Sequence, residues 1–464
     1  MRYVSTRGHA PELGFCDTLL GGLASDGGLY VPNEWPQTES LAGGDYAEHA
    51  AAIMQPFIGD EIPPDVFVAL CRDAYSTFRH SEVTPLVQLT PEHYLLELFH
   101  GPTLAFKDVA LQLIGRLFDY VLRQRDERVM VIGATSGDTG SAAIDAVKNC
   151  QNIDIVILYP HNRTSEFQRR QMTTVEAQNV HTVAIDGTFD DCQDLVKAMF
   201  NDSEFRCANN LSAVNSINWA RVMAQTVYYF TAIESLGHQV SSLRVPDRSV
   251  SFSVPTGNFG NVLAGWIARQ MGAPIRHLIV GSNSNDILTR FFETGAMKMH
   301  DVVPTLSPSM DIQVSSNFER LLYEVNHRDG GVTAEQLQRF RVTGTMSMES
   351  DQFDAWVTPV FRAHRSDDAE TLATMRRIYD DTGILIDPHT AVGVASTEAC
   401  AEPGIPTITL ATAHPAKFPD AVMRATGIEP PLPEHVADIY ERPERITNLP
   451  NDLVAVRTFV ASCH

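Results

Sequence analysis

VMVIGATSGDTGSAA (Val129–Ala143) opens as a run of β-branched and aliphatic residues, passes through glycines and hydroxyl residues, and closes on a helix pattern that Ile144 to Asn149 continues. A strand at Val129–Ile132 that runs through Thr135, Ser136, Gly137, Asp138, Thr139 and Gly140 into a helix is the junction of a βα unit. In doubly wound sheets ligands sit beyond the carboxyl ends of such strands, where unpaired N–H groups of helix N-termini face outward. Glycines let the backbone fold closely round an anion and hydroxyls add donors, so the loop suits a carboxylate or a phosphate. It is not a P-loop, because no Gly-Lys-Ser/Thr follows. Taken alone the pattern serves equally well as a plain turn.

Outward from this stretch the alternation repeats. The runs RVMVIGA, IDIVILYP, VHTVAID, VSFSVP, IRHLIVGS and PTITLAT are separated by helix patterns such as FDDCQDLVKAMF and NVLAGWIARQM. That is an α/β architecture of twisted, mostly parallel sheets flanked by helices. Upstream, Met1 to about Leu89 is polar, punctuated by proline and mainly helical in pattern. Three domains are expected: an amino-terminal one over 1–95, a small α/β domain over 96–235 and a large α/β domain over 236–464. The large one carries an irregular insertion at about 294–380, whose SPS and NHRDGG stretches suggest long loops, and a carboxyl-terminal tail.

Two further junctions carry polar residues. In SVPTGNFGNVLAG a strand (Ser251–Val254) leads through Thr256, Gly257, Asn258, Phe259, Gly260 and Asn261 into a helix, a backbone cradle for a dianionic phosphate. The third glycine of a dinucleotide fingerprint is missing, and no acid follows to grip a ribose, so a compact phosphorylated ligand fits better. In TITLATAHPAKFPD, Thr412 ends a strand ahead of His414, Pro415 and Lys417; its hydroxyl can meet a ring nitrogen or cap a helix. HGPTLAFKDVA sets Lys107 between an aromatic residue and an acid, and a lysine becomes reactive when a pocket desolvates it. NSINWAR offers Ser216, Asn218 and Arg221 on one helix entry, as a phosphate site or as a cap with a surface arginine.

The bulk numbers exclude whole classes. With 464 residues and 44% hydrophobic content the chain can bury a large core. A formal net charge of -22 argues against nucleic acid and anionic membrane as partners. The 7 cysteines are scattered and never in C-x-x-C spacing, as reduced thiols of a cytoplasmic protein would be. No secretory leader and no run of ~18 apolar residues is recognised. His389 and His414 belong to no metal-ligand spacing, and no metal is expected.

Nine motifs in order, FIGDEIP, ELFHGPTLAFKD, ATSGDTG, VILYP, VAIDG, NSIN, PTGNFGN, DPHTAVG and TAHPAKF, resemble the threonine synthase family, enzymes that use pyridoxal 5'-phosphate (PLP) on the tryptophan-synthase-β fold, PLP fold type II. The resemblance implies that Lys107 carries the cofactor, that Gly257, Asn258, Phe259, Gly260 and Asn261 hold its phosphate, and that Thr412 faces its pyridine nitrogen. It implies a substrate carboxylate site at Thr135, Ser136, Gly137, Asp138 and Thr139, and a substrate phosphate site at Ser216, Asn218 and Arg221. Some relatives of the fold have Asn where this chain has Asp138. The implied reaction turns O-phospho-L-homoserine and water into L-threonine and phosphate, by γ-elimination and β-addition of water, in a monomer or homodimer. The alternatives are a related phospho-lyase that stops at 2-oxobutyrate and an inactive ligand-binding relative.

Overall fold

The computed structural model describes residues 1–38, 43–135, 137–239 and 249–463. Among the described residues fifteen strands follow in chain order. The first eight are β1 (Tyr3–Ser5), β2 (Tyr30–Pro32), β3 (Leu86–Thr90), β4 (His93–Glu97), β5 (Val129–Ala134), β6 (Ile153–Pro160), β7 (Val180–Asp186) and β8 (Leu211–Ser212). The others are β9 (Val250–Pro255), β10 (Ile275–Ser282), β11 (Ala296–Lys298), β12 (Thr345–Ser347), β13 (Phe361–Arg365), β14 (Thr407–Ala411) and β15 (Thr447–Pro450). They build a six-stranded sheet in the order β13-β10-β9-β14-β4-β3 and a five-stranded sheet in the order β15-β7-β6-β5-β8, with β1-β2 and β11-β12 as separate ribbons.

Every pair in the five-stranded sheet is parallel. In the six-stranded sheet only β3 runs antiparallel, against β4. Parallel strands are covered on both faces, and β6 shows it: all of IDIVILYP is buried. The expected α/β class with mostly parallel sheets is what the chain adopts. All six expected runs are strands.

The sheets cut across the spans read from the sequence. β4 lies at 93–97 yet pairs with β14, so the six-stranded sheet draws on the amino-terminal span. The carboxyl-terminal tail goes the other way: β15 pairs with β7, and Val456 and Val460 of the helix Leu453–Ala461 pack with Met130, Val156 and Val183 of the five-stranded sheet. The stretch 294–380 is mainly helical, with helices Phe318–Val325, Gly330–Thr343, Ser350–Trp356 and Asp368–Thr382. NHRDGG is a helix boundary: Asp329 caps the second of these by accepting from the Val332 N–H at 3.0 Å.

One helix contact sets the position of the site. The helix Lys107–Arg125 crosses the helix Asp138–Val147 so closely that a Cβ on Gly115 would lie 2.3 Å from the Ala146 carbonyl oxygen. That approach brings the first residues of the two helices, Lys107 and Asp138, together. Among the described residues no helix is long and apolar enough to cross a membrane.

Candidate active site

Lys107 is the first residue of its helix and is buried. The segment before it is wound round the next residue. Asp108 is fully buried and accepts from the Thr103 N–H at 2.8 Å and the Thr103 hydroxyl at 2.7 Å, while a Cβ on Gly101 would strike its carboxylate at 2.5 Å. Burial pushes the Asp108 carboxyl up to about 7. On the other side the Phe106 N–H donates to the Thr412 carbonyl at 2.9 Å, and Ala105 bridges Ala413. The lysine is thereby fixed at the carboxyl end of β14, beside Thr412.

The Lys107 ammonium meets Asp138 Oδ2 at 3.2 Å. Burial pulls the lysine below its ordinary value, and the Lys417 and Arg221 cations add to that, against the opposing pull of Asp138. Burial alone would raise the Asp138 carboxyl, but the Lys107 and Lys417 charges hold it far below the usual carboxylate range. As the first residue of its helix Asp138 also faces the positive end of the backbone dipole. Gln168 Nε2 donates to its Oδ1 at 2.8 Å.

The ATSGDTG loop is braced from within. Thr135 Oγ1 accepts from the N–H groups of Gly137 and Gly140, each at 3.0 Å. Gly137 has φ 151°, and a Cβ there would lie 2.6 Å from Gln168. Thr139 is half-buried in the first helical turn. Ser136 lies outside the described residues.

In the PTGNFGN loop Phe259 takes left-handed dihedrals, φ 62° and ψ 2°, ahead of the helix Gly260–Gln270. Its ring is buried against Phe292, Phe318 and Phe361, which holds a non-glycine residue in that conformation. Gly257 is pressed against the 3-10 turn Pro308–Met310: a Cβ would lie 2.5 Å from the Ser309 carbonyl oxygen. The hydroxyl of the same Ser309 donates to Asp138 Oδ2 at 3.4 Å, so the two anion loops are joined through one residue.

Arg221 is buried, makes one long hydrogen bond to the Val214 carbonyl at 3.4 Å, and meets no carboxylate among the described residues. Burial lowers it to about 10. Ser216 is half-buried and its carbonyl accepts from Asn317 Nδ2 at 3.0 Å. Asn218 departs from expectation. Its amide is turned inward, donating to the Leu19 carbonyl at 2.8 Å and accepting from the Ala220 N–H at 3.0 Å, because a buried helix start and a buried carbonyl both need a partner.

Sequence reasoning did not assign five residues to the site. Lys417 is fully buried against Asp138. Ser309 links the loops. Asn317 Nδ2 donates at 3.0 Å to both the Ser216 and the Asn258 carbonyls, and Arg320 holds Asn317 while donating to the Ile217 carbonyl at 2.7 Å. His389 accepts from the Ser309 N–H through Nε2 and meets Asp387 through Nδ1 at 2.8 Å, so its Nδ1 carries the proton. The only signal at hand was the apolar setting of Lys417 in AHPAKFP.

Residues 78–343 match the family model described as "Pyridoxal-phosphate dependent enzyme", residues 2–75 match "Threonine synthase N terminus", and residues 390–460 match "Threonine synthase, C-terminal". The fold is that of a PLP-dependent enzyme of fold type II, and the enzyme class is a lyase. A threonine synthase of Pseudomonas aeruginosa is 52% identical over 99% of this chain and 98% of its own length. A threonine synthase of Saccharomyces cerevisiae is 42% identical over 91% of this chain and 88% of its own. Among solved structures, a PLP-bound threonine synthase from Brucella melitensis covers 100% of this chain and 99% of that one, with a TM-score of 0.96 at 52% identity; the Escherichia coli threonine synthase gives 0.83 at 32% identity, with 100% of both chains covered. The chain belongs to the threonine synthase family.

Its residues fit the cofactor of that family. Asn261 Nδ2, at the end of the PTGNFGN loop, is buried without a partner among the described residues, and Gly257 leaves the backbone bare where the loop meets the Ser309 carbonyl. A desolvated lysine amine linked through Asp138 and Ser309 to a glycine loop with an unpaired amide suits PLP.

Proposed function

We propose that this chain converts O-phospho-L-homoserine and water into L-threonine and inorganic phosphate, with Lys107 as the group that holds the cofactor and moves protons. The observation that carries the reading is a cationic pocket, Lys107 and Arg221 buried together, inside a chain of net charge -22. When bound, PLP supplies an aldehyde that captures an amine and a conjugated ring that takes up the electron pair left at the substrate α-carbon.

Lys107 Nζ takes the proton from the substrate α-carbon and later returns it. Burial supports this role, because a lysine below its ordinary value is more often neutral and so free to accept a proton. Arg221 binds the substrate phosphate, since a buried guanidinium with spare donors suits an oxyanion, and Ser216 lies on the same entry. The Thr135–Thr139 loop and the start of its helix take the substrate carboxylate. Gly257 to Asn261 would hold the cofactor phosphate, and Thr412 would be the residue for its pyridine nitrogen. Asn218 supports the entry from behind instead of touching substrate. A cytoplasmic location, a small-molecule substrate without nucleic acid or membrane, and a monomer or homodimer complete the proposal; the support is the acidic balance and the unpaired cysteines.

Purified protein given phosphohomoserine is expected to release threonine and phosphate in equal amounts. Borohydride is expected to fix the cofactor to the peptide containing Lys107, and Lys107→Ala to be folded, colourless and inactive. Release of 2-oxobutyrate in place of threonine refutes the hydration step; a coloured, active Lys107→Ala refutes the site.

A further inference from the structure

Lys417 has no part in the scheme above, yet no other lysine is bound so completely. It is fully buried; its ammonium donates to the Thr103 carbonyl and to Gln171 Oε1, each at 2.7 Å, and is ion-paired with Asp138 Oδ1 at 3.1 Å. Held by two hydrogen bonds and an ion pair, it is placed as a partner of Asp138 and not as a free amine.

Asp138 divides its oxygens accordingly. Oδ1 serves permanent partners, Lys417 and Gln168; Oδ2 serves Lys107 and the Ser309 hydroxyl. The result is a buried cation-anion-cation row in which one cation must give up a proton to react. A carboxylate paired with Lys107 alone would oppose that loss, since an unpaired buried charge is costly. With Lys417 in place the carboxylate stays matched after Lys107 becomes neutral.

We propose that Lys417 is a positioning residue of the reaction, holding Asp138 as a carboxylate shared between two lysines so that Lys107 can part with its proton without stranding that charge. This rests on the reading of Lys107 as the reactive amine. The charged groups facing Lys107 are Asp138 from the helix Asp138–Val147, Lys417 from the 3-10 turn Pro415–Lys417, and Arg221 from the helix that begins at Trp219. Asp108, on its own helix, is turned to Thr103, and His389 acts on Asp138.

The test uses the full-length protein freed of cofactor. The rate at which added pyridoxal 5'-phosphate is captured, followed by visible absorbance against pH, reads the neutral fraction of Lys107. In Lys417→Met the curve moves to higher pH, so that capture near neutrality slows by about tenfold or more; Lys417→Arg stays within about threefold of the parent, and Asp138→Asn moves the curve to lower pH. Thermal unfolding establishes that each variant is folded. A folded Lys417→Met whose capture falls equally at every pH overturns the proposal, because that is simple loss of attraction for an anion. Should Lys417→Met not fold, an unmoved or upward-moved curve in Asp138→Asn overturns it. Capture by Lys107→Ala would sink the assignment of the amine itself, and turnover of phosphohomoserine enters none of these readings.

Discussion

At the scale of single residues the site is a set of charges kept from water. Arg221 is the clearest: a guanidinium without a carboxylate partner is stabilised when an oxyanion arrives. Arg221→Leu is expected to raise KM for phosphohomoserine by roughly 10- to 100-fold, from about 1.5–3 kcal/mol of lost charge-assisted hydrogen bonding, with the cofactor absorbance unchanged. Arg221→Lys recovers only part, since an ammonium cannot match two phosphate oxygens at once. Asp108 offers a pH-dependent check. Its folded value, up to about 7, lies above that of an unfolded-chain aspartate, so the stability contributed by the protonated acid is complete below about pH 4 and is lost as pH rises through 7. Urea unfolding of the parent is expected to lose on the order of 4 kcal/mol across that window relative to Asp108→Asn.

At the scale of elements, close helix packing decides whether the two halves of the site meet. Ala at position 115 would drive a methyl into the Ala146 carbonyl. Gly115→Ala is expected to cost about 1–3 kcal/mol in unfolding free energy and to weaken cofactor retention on dialysis, because the lysine and aspartate helices are pushed apart. The three junctions were legible in the sequence because each is local: strand, turn and helix follow one another within about fifteen residues. Ser309, Asn317 and Lys417 were not legible as site residues, because their contacts span long separations. Ser309 meets Asp138 across 171 residues and Lys417 meets Gln171 across 246. Asn218 misled for the same reason; the carbonyl it serves is 199 residues away. β13 escaped because FRAHR is an edge strand whose alternating charges give no hydrophobic run.

Across the whole molecule, chain order and spatial order diverge. The tail closes the five-stranded sheet, so a chain ending at 446 would lack β15 and uncover the face under Val456 and Val460, two buried valines at about 1.5–3 kcal/mol each. That truncation is expected to be recovered mainly as aggregate, scored by soluble yield and size-exclusion elution. The division into three successive spans was a reasonable inference from changes in pattern, but hydropathy along a chain says nothing about which edge a late strand will join.

The tether between the Phe106 N–H and the Thr412 carbonyl ties Lys107 to one sheet, and Asp138 ties it to the other. A nascent chain therefore has no place for its coenzyme until more than three hundred residues beyond that lysine have been made and seated. During refolding from urea the yellow chromophore should be the last signal to return, after far-ultraviolet ellipticity and tryptophan fluorescence have levelled off.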